Sequence, residues 1–106
     1  MALMLARRVR APVYAITRWV GNGDFRAQAT QCFENLKAGL AAAGATSEHQ
    51  ITCCFIDISH LPIFLEVRDR YVNTKAPPAS TAIQIGKLAV PGALFEIEAI
   101  AVVPEK

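Results

Sequence analysis

The stretch Phe95-Glu96-Ile97-Glu98-Ala99-Ile100-Ala101-Val102-Val103 constrains the fold of this chain more than any other. A strand sends successive side chains to opposite faces. Phe95, Ile97, Ala99, Ala101 and Val103 therefore form one apolar face, and Leu94, Glu96, Glu98, Ile100 and Val102 form the other. Two helices can cover one face of such a sheet. The second face still holds aliphatics and needs a cover that the chain's helices do not supply, and a second copy is the simplest source. Glu96 and Glu98 stand about 6.6 Å apart along that face. Carboxylates so close rarely both stay buried and ionised, so one of them is expected to meet a cation or water.

The helices are readable from spacing. Ala29, Cys32, Phe33, Leu36, Leu40 and Ala43 recur at helical intervals, with Gln28, Gln31, Glu34, Asn35 and Lys37 off that stripe. Asp24 is placed to cap this helix and Gly44 to stop it. The segment Ile51–Ser59 is rich in β-branched and aromatic residues and apolar on both faces, which predicts a central strand. A second helix is expected from Leu61 to about Val72, with Leu61, Phe64, Leu65 and Tyr71 inward and Pro62 in its first turn. Residues 73–79 read as a loop, and strands follow over Thr81–Gly86 and Ala93–Val103. The result is one α+β domain spanning residues 1–106.

Charge and cysteine usage narrow the function classes. Net charge is +2, yet residues 1–23 carry Arg7, Arg8, Arg10 and Arg18 with no acid. Four arginines without interleaved aromatics match no nucleic-acid-binding motif. No apolar run approaches the roughly 20 residues of a membrane span, and the apolar start is too short for a signal peptide, so a cytoplasmic location is expected. Cys32, Cys53 and Cys54 form neither a disulfide framework nor a metal set, and His49 and His60 lie at no ligand spacing from them. Buried, inert thiols are the plain reading. Gly21-Asn22-Gly23-Asp24 is a turn and no dinucleotide fingerprint, because Arg26 stands where the third glycine belongs.

The segments Gly23–Thr46, Ile51–Val72 and Pro77–Val103, with their ENLKAGLAAAG and GALFEIEAIAV runs, resemble the RidA/YjgF family over roughly four-fifths of the chain. The resemblance implies a chorismate-mutase-like fold, a mixed sheet with two helices packed on one face, assembled as a homotrimer with a ligand cleft at each subunit interface. It also implies hydrolysis of enamine and imine intermediates to 2-keto acids and ammonia, with no metal or bound cofactor. An arginine fork would grip the substrate carboxylate, and a glutamate would position the attacking water.

Carried over residue by residue, the family glutamate matches Glu96. The arginine position is held by Ser80, within Pro77-Pro78-Ala79-Ser80-Thr81. A hydroxyl in place of a charge-assisted fork costs on the order of a few kcal/mol, a hundredfold or more in transition-state affinity. The expected function is therefore binding of small carboxylate metabolites with inefficient imine deamination. The alternatives are a deaminase that recruits another cation, with Arg68 acting across an interface, and an RNA-cleaving translation inhibitor. Ser80 and Thr81 are candidate ligand contacts, and Glu98 reads as structural. Leu65 stands where the family has asparagine and Arg68 where it has tyrosine. Residues 1–20 are divergent and look shortened where the family has a hairpin; Pro12-Val13-Tyr14 faintly resembles its PYS element, making Tyr14 a candidate cleft residue. Tyr14 and Trp19 otherwise read as packing residues, and residues 1–20 are expected to form one or two strands of their own.

Overall fold

The computed structural model describes residues 6–14, 23–42, 44 and 50–104, with the backbone alone at 6–14 and 102–104. In chain order these form β1 (Ala6–Tyr14), α1 (Phe25–Ala42), β2 (Gln50–Phe55), a 3-10 turn (Ile58–His60), α2 (Leu61–Arg68), β3 (Ala79–Gln84) and β4 (Phe95–Pro104). Trp19 and His49 lie outside the described residues.

Each boundary has a local cause. Asp24 caps α1, its Oδ1 accepting from the Ala27 amide at 3.1 Å, and Gly44 follows the helix in the left-handed region at φ +83°. The stripe Ala29, Cys32, Phe33, Leu36 and Leu40 is buried, joined by Phe25 and by Gln28. The strand expected over Ile51–Ser59 stops at Phe55. Asp57 breaks it: its carboxylate accepts from the Ser59 amide at 2.9 Å and caps the 3-10 turn that leads into α2. Pro62 sits in the first turn of α2, where its missing amide costs nothing. The helix is shorter than expected, ending at Arg68, although the Val72 amide still donates to the Arg68 carbonyl at 3.1 Å.

The four strands form one sheet in the order β1-β4-β2-β3. β4 runs antiparallel to both β1 and β2. β2 and β3 are parallel, as a crossover through α2 allows. Pairing brings Cys53 opposite Ile97, Cys54 opposite Glu96 and Thr52 opposite Glu98.

Ile51, Cys53, Phe55, Phe95, Ile97, Ala99 and Ala101 are buried with the inner faces of α1 and α2. At the centre Phe55 and Phe95 lie 5.2 Å apart between ring centroids, with Phe25 and Phe64 each within 5.7 Å of both. Edge and tilted contacts dominate, as ring quadrupoles favour. In α2, Phe64 and Val67 are buried and Leu61 and Tyr71 pack partly against the core. Leu65 is 38% exposed, contrary to its expected inward position. An inward stripe of Leu61, Phe64 and Val67 leaves Leu65 on the flank of so short a helix.

Candidate functional site

The second face of the sheet carries Thr52 and Cys54 from β2 and Glu96, Glu98 and Ile100 from β4, all half-buried. Among the described residues both helices pack on the other face. Glu96 and Glu98 are here because β4 alternates and its other parity is committed to the core. β1 borders them: Tyr14 is in register with Glu96, Pro12 with Glu98 and Arg10 with Ile100.

The electrostatics of this face favour a protonated carboxyl. Partial burial pushes the Glu96 pKa up from its ordinary 4.5, and the neighbouring Glu98 charge adds to it. The Cys54 thiol, opposite Glu96, is also pushed up by burial and then by Glu96 and Glu98. A thiol held protonated is a poor nucleophile. Cys32 and Cys53 are buried and pushed up to about 12, chiefly by desolvation. No group of three or more His, Cys, Asp or Glu residues among those described could hold a metal ion.

The register separates the remaining candidates. In the parallel β2–β3 ladder Ser80 is opposite Ile51 and Thr81 opposite Thr52. Thr81 therefore shares the parity of Glu98, while Ser80 falls on the parity of the helix-covered face. Its hydroxyl lowers the Cys53 thiol pKa and so offsets part of the rise that burial causes. The whole of β3 is exposed, so Ser80 lies on an open edge of the sheet. Ser80 and Glu96 thus occupy opposite faces with β2 between their strands.

Arg68 belongs to the Ser80 side. Its charge acts on the Cys53 thiol, and its Nε and Nη2 donate to Asp69 Oδ1 at 3.1 and 2.9 Å. Its side chain is only 21% exposed. The structure thus puts Ser80 and Arg68 on the helix-covered side of the sheet, gathers Glu96 and Glu98 on the far face, and joins Thr81 to the latter by parity. Tyr14 adjoins Glu96 by backbone register.

Gln28 is a residue that sequence spacing missed. It is fully buried; its Oε1 accepts from the Leu94 amide at 2.8 Å and its Nε2 donates to the Gly92 carbonyl at 3.3 Å. That clamp fixes the entry into β4 two residues before Glu96. One signal was available: Phe25, Gln28, Ala29 and Cys32 share the i, i+3, i+4, i+7 pattern of a buried face.

Residues 11–103 match the family described as endoribonuclease L-PSP. The chain is 40% identical over 93 residues to "Protein DfrA" of Myxococcus xanthus, covering 86% of this chain and 70% of that protein. Among solved structures it is similar to a protein of unknown function of the Rid family from Yersinia pestis, with a TM-score of 0.78, 30% identity, and coverage of 92% of this chain and 79% of that one. It is also similar to Rv2704 of Mycobacterium tuberculosis, a member of the YjgF/YER057c/UK114 family, with a TM-score of 0.75, 28% identity, and coverage of 96% and 82%. It spans 59% of a further structure, from Klebsiella pneumoniae.

Proposed function

We propose, starting from the fact that this chain belongs to the RidA/YjgF (endoribonuclease L-PSP) family, that it binds small carboxylate-bearing metabolites, 2-oxo and 2-imino acids, in clefts shared between copies of a homotrimer. The observation that carries the reading is the separation of Ser80 from Glu96. They lie on opposite faces of one sheet, so a ligand that meets both must lie between two copies, the β3 edge of one facing the Glu96 surface of the next. The aliphatic Ile100 beside Glu98 on β4 and Ile83 on β3, across Cys54 from Glu96, give that face apolar area to bury.

Within such a cleft, Glu96 supplies the water-handling group. In imine hydrolysis the water oxygen bonds to the imine carbon as one of its protons passes to the nitrogen; the proton of the new hydroxyl then follows to the nitrogen as the carbonyl forms and the carbon–nitrogen bond breaks, releasing ammonia and the 2-oxo acid. A carboxyl whose pKa is raised by burial and by Glu98 exchanges protons closer to neutrality than a solvated one. Ser80, short and uncharged, does not clamp the substrate carboxylate as a guanidinium does. Deamination is therefore slow, and ligand binding is the principal activity.

The test is to generate 2-iminopropanoate in situ and follow pyruvate release, beside thermal stabilisation by 2-oxo acids. The reading expects stabilisation by the acids, little acceleration over buffer, and a gain of activity in Ser80→Arg. Full acceleration by the wild type would refute the weakened-clamp reading, and absence of stabilisation by any acid would refute binding.

A further inference from the structure

The geometry points to Arg10 of β1 and Gln50 of β2 as an anion subsite on the Glu96 face of the sheet, one that takes the distal carboxylate of a 2-oxo dicarboxylic acid. The inference rests on the preceding reading that the chain binds 2-oxo acids beside Glu96, and it names the ligand class.

Residues paired across a sheet share a face, so the register lays this face out row by row. One row holds Ile83, Cys54, Glu96 and Tyr14, and the next holds Thr81, Thr52, Glu98 and Pro12. The third holds Ala79, Gln50, Ile100 and Arg10, and Arg8 follows on the same parity, opposite Val102. Among the described strands Arg8 and Arg10 are the cations of this parity. Gln50 and Arg10 flank Ile100 from the strands on either side of β4, roughly 10 Å apart at two strand spacings. Gln50 is exposed and Ile100 half-buried. A carboxylate in this row has an amide NH₂ and a guanidinium as donors, the second of them able to bind both oxygens. Glu98, one row nearer Glu96, opposes an incoming carboxylate by like charge; the two arginines outweigh that single charge.

Spacing decides which carboxylate reaches the row. Ile100 lies four residues beyond Glu96 on β4, about 13 Å at ~3.3 Å per residue. A ligand whose 2-carbon sits at Glu96 carries its 1-carboxylate one bond away, too close to Glu96 to enter the Arg10 row. A carboxylate at the other end of the carbon chain runs towards that row, and an arginine is long enough to close the rest of the gap. Pyruvate has no such group, and 4-methyl-2-oxopentanoate has methyl groups in its place; 2-oxoglutarate has the second carboxylate. For the same reason Arg10 does not restore the clamp that Ser80 lacks. It holds the tail of the ligand, not the carboxylate beside the imine carbon.

Titration calorimetry with pyruvate, 4-methyl-2-oxopentanoate and 2-oxoglutarate, on the wild type, Arg10→Ala and Gln50→Ala, reads the subsite as a ratio of affinities. We expect 2-oxoglutarate to bind the wild type roughly tenfold or more tightly than either monocarboxylate, the worth of one charge-assisted contact. Arg10→Ala should bring the ratio of 2-oxoglutarate to pyruvate affinity within about twofold, and Gln50→Ala should lower it by a smaller factor. A merely structural loss lowers both acids alike and leaves the ratio in place. Should Arg10→Ala unfold, Arg10→Gln keeps the stem and gives the same readout. If the wild type binds pyruvate and 2-oxoglutarate equally, or its preference survives the Arg10 substitutions, this inference is overturned with the cleft reading intact. If the wild type binds none of the three acids, the cleft reading and the inference are both overturned.

Discussion

Replacing Gln28 by leucine tests how the helix layer sets the position of the site. The side chain is fully buried and holds the Leu94 amide at 2.8 Å and the Gly92 carbonyl at 3.3 Å. Leucine has a similar volume, so the packing term is small and the loss is that of the hydrogen bonds. The 2.8 Å bond dominates because the 3.3 Å contact is near the limit of useful geometry. A part-buried amide stranded without its acceptor costs about 1–3 kcal/mol. In a domain of this size each kcal/mol shifts Tm by roughly 4–8 °C, so a fall of roughly 4–24 °C is expected. Urea denaturation followed by circular dichroism, at matched protein concentration because the proposed assembly would add stability, should move its midpoint without changing its slope. Because Leu94 leads into β4, weakened ligand binding at Glu96 should accompany the loss. A variant within about 0.5 kcal/mol of the wild type, the usual range of a surface substitution, would refute the clamp.

Further expectations follow from the same contacts. Glu96 keeps its proton to higher pH in the folded state than its ordinary 4.5 allows, so the stability linked to it is present below that value and is lost as pH rises through the raised one; the stability of Glu96→Gln relative to the wild type should therefore rise between pH 4 and pH 7, and a flat difference would contradict the shift. Cys32 and Cys53, with thiols near pH 12, should resist a thiol reagent in the native protein while Cys54, the half-buried one, reacts first; mass mapping of the adducts checks the order. Phe55→Ala, emptying the aromatic centre, should cost about 3–5 kcal/mol, whereas Arg26→Ala, breaking the exposed pair with Glu66 at 2.6 Å, should cost under about 1 kcal/mol by chemical denaturation.

Much of this was legible in the sequence where periodicity and burial coincide. The stripe of α1 and the alternation of β4 are long and regular, and both were read with the correct faces. Boundaries set by one side chain were not: the Asp57 carboxylate ends β2 early, an event that hydrophobic pattern does not register. Gln28 reads as a solvent residue because its polarity masks its place in the helical pattern, and its burial is tolerated because backbone groups across the fold receive its amide. Leu65 was assigned inward on hydrophobicity alone, yet a helix of eight residues presents a narrow face. The position of Ser80 relative to Glu96 depends on the β2–β3 register, and no local signal specifies a pairing made across a helical crossover. Motif spacing assigned Ser80 and Glu96 to one interface cleft; the strand register adds that they sit on two faces of a single copy.

The central claim is that one ligand site draws on two copies of the chain, and subunit mixing tests it most directly. Glu96→Trp blocks one wall with bulk, and Ser80→Asp sets a repelling carboxylate at the other; neither variant alone should bind a 2-oxo acid such as pyruvate. If the walls come from different copies, co-refolding equal amounts should restore binding in about a quarter of the clefts, those formed between an intact Ser80 edge and an intact Glu96 face. No recovery in mixed oligomers whose exchange is verified by native mass spectrometry, or a wild type that binds as a monomer, would contradict the account.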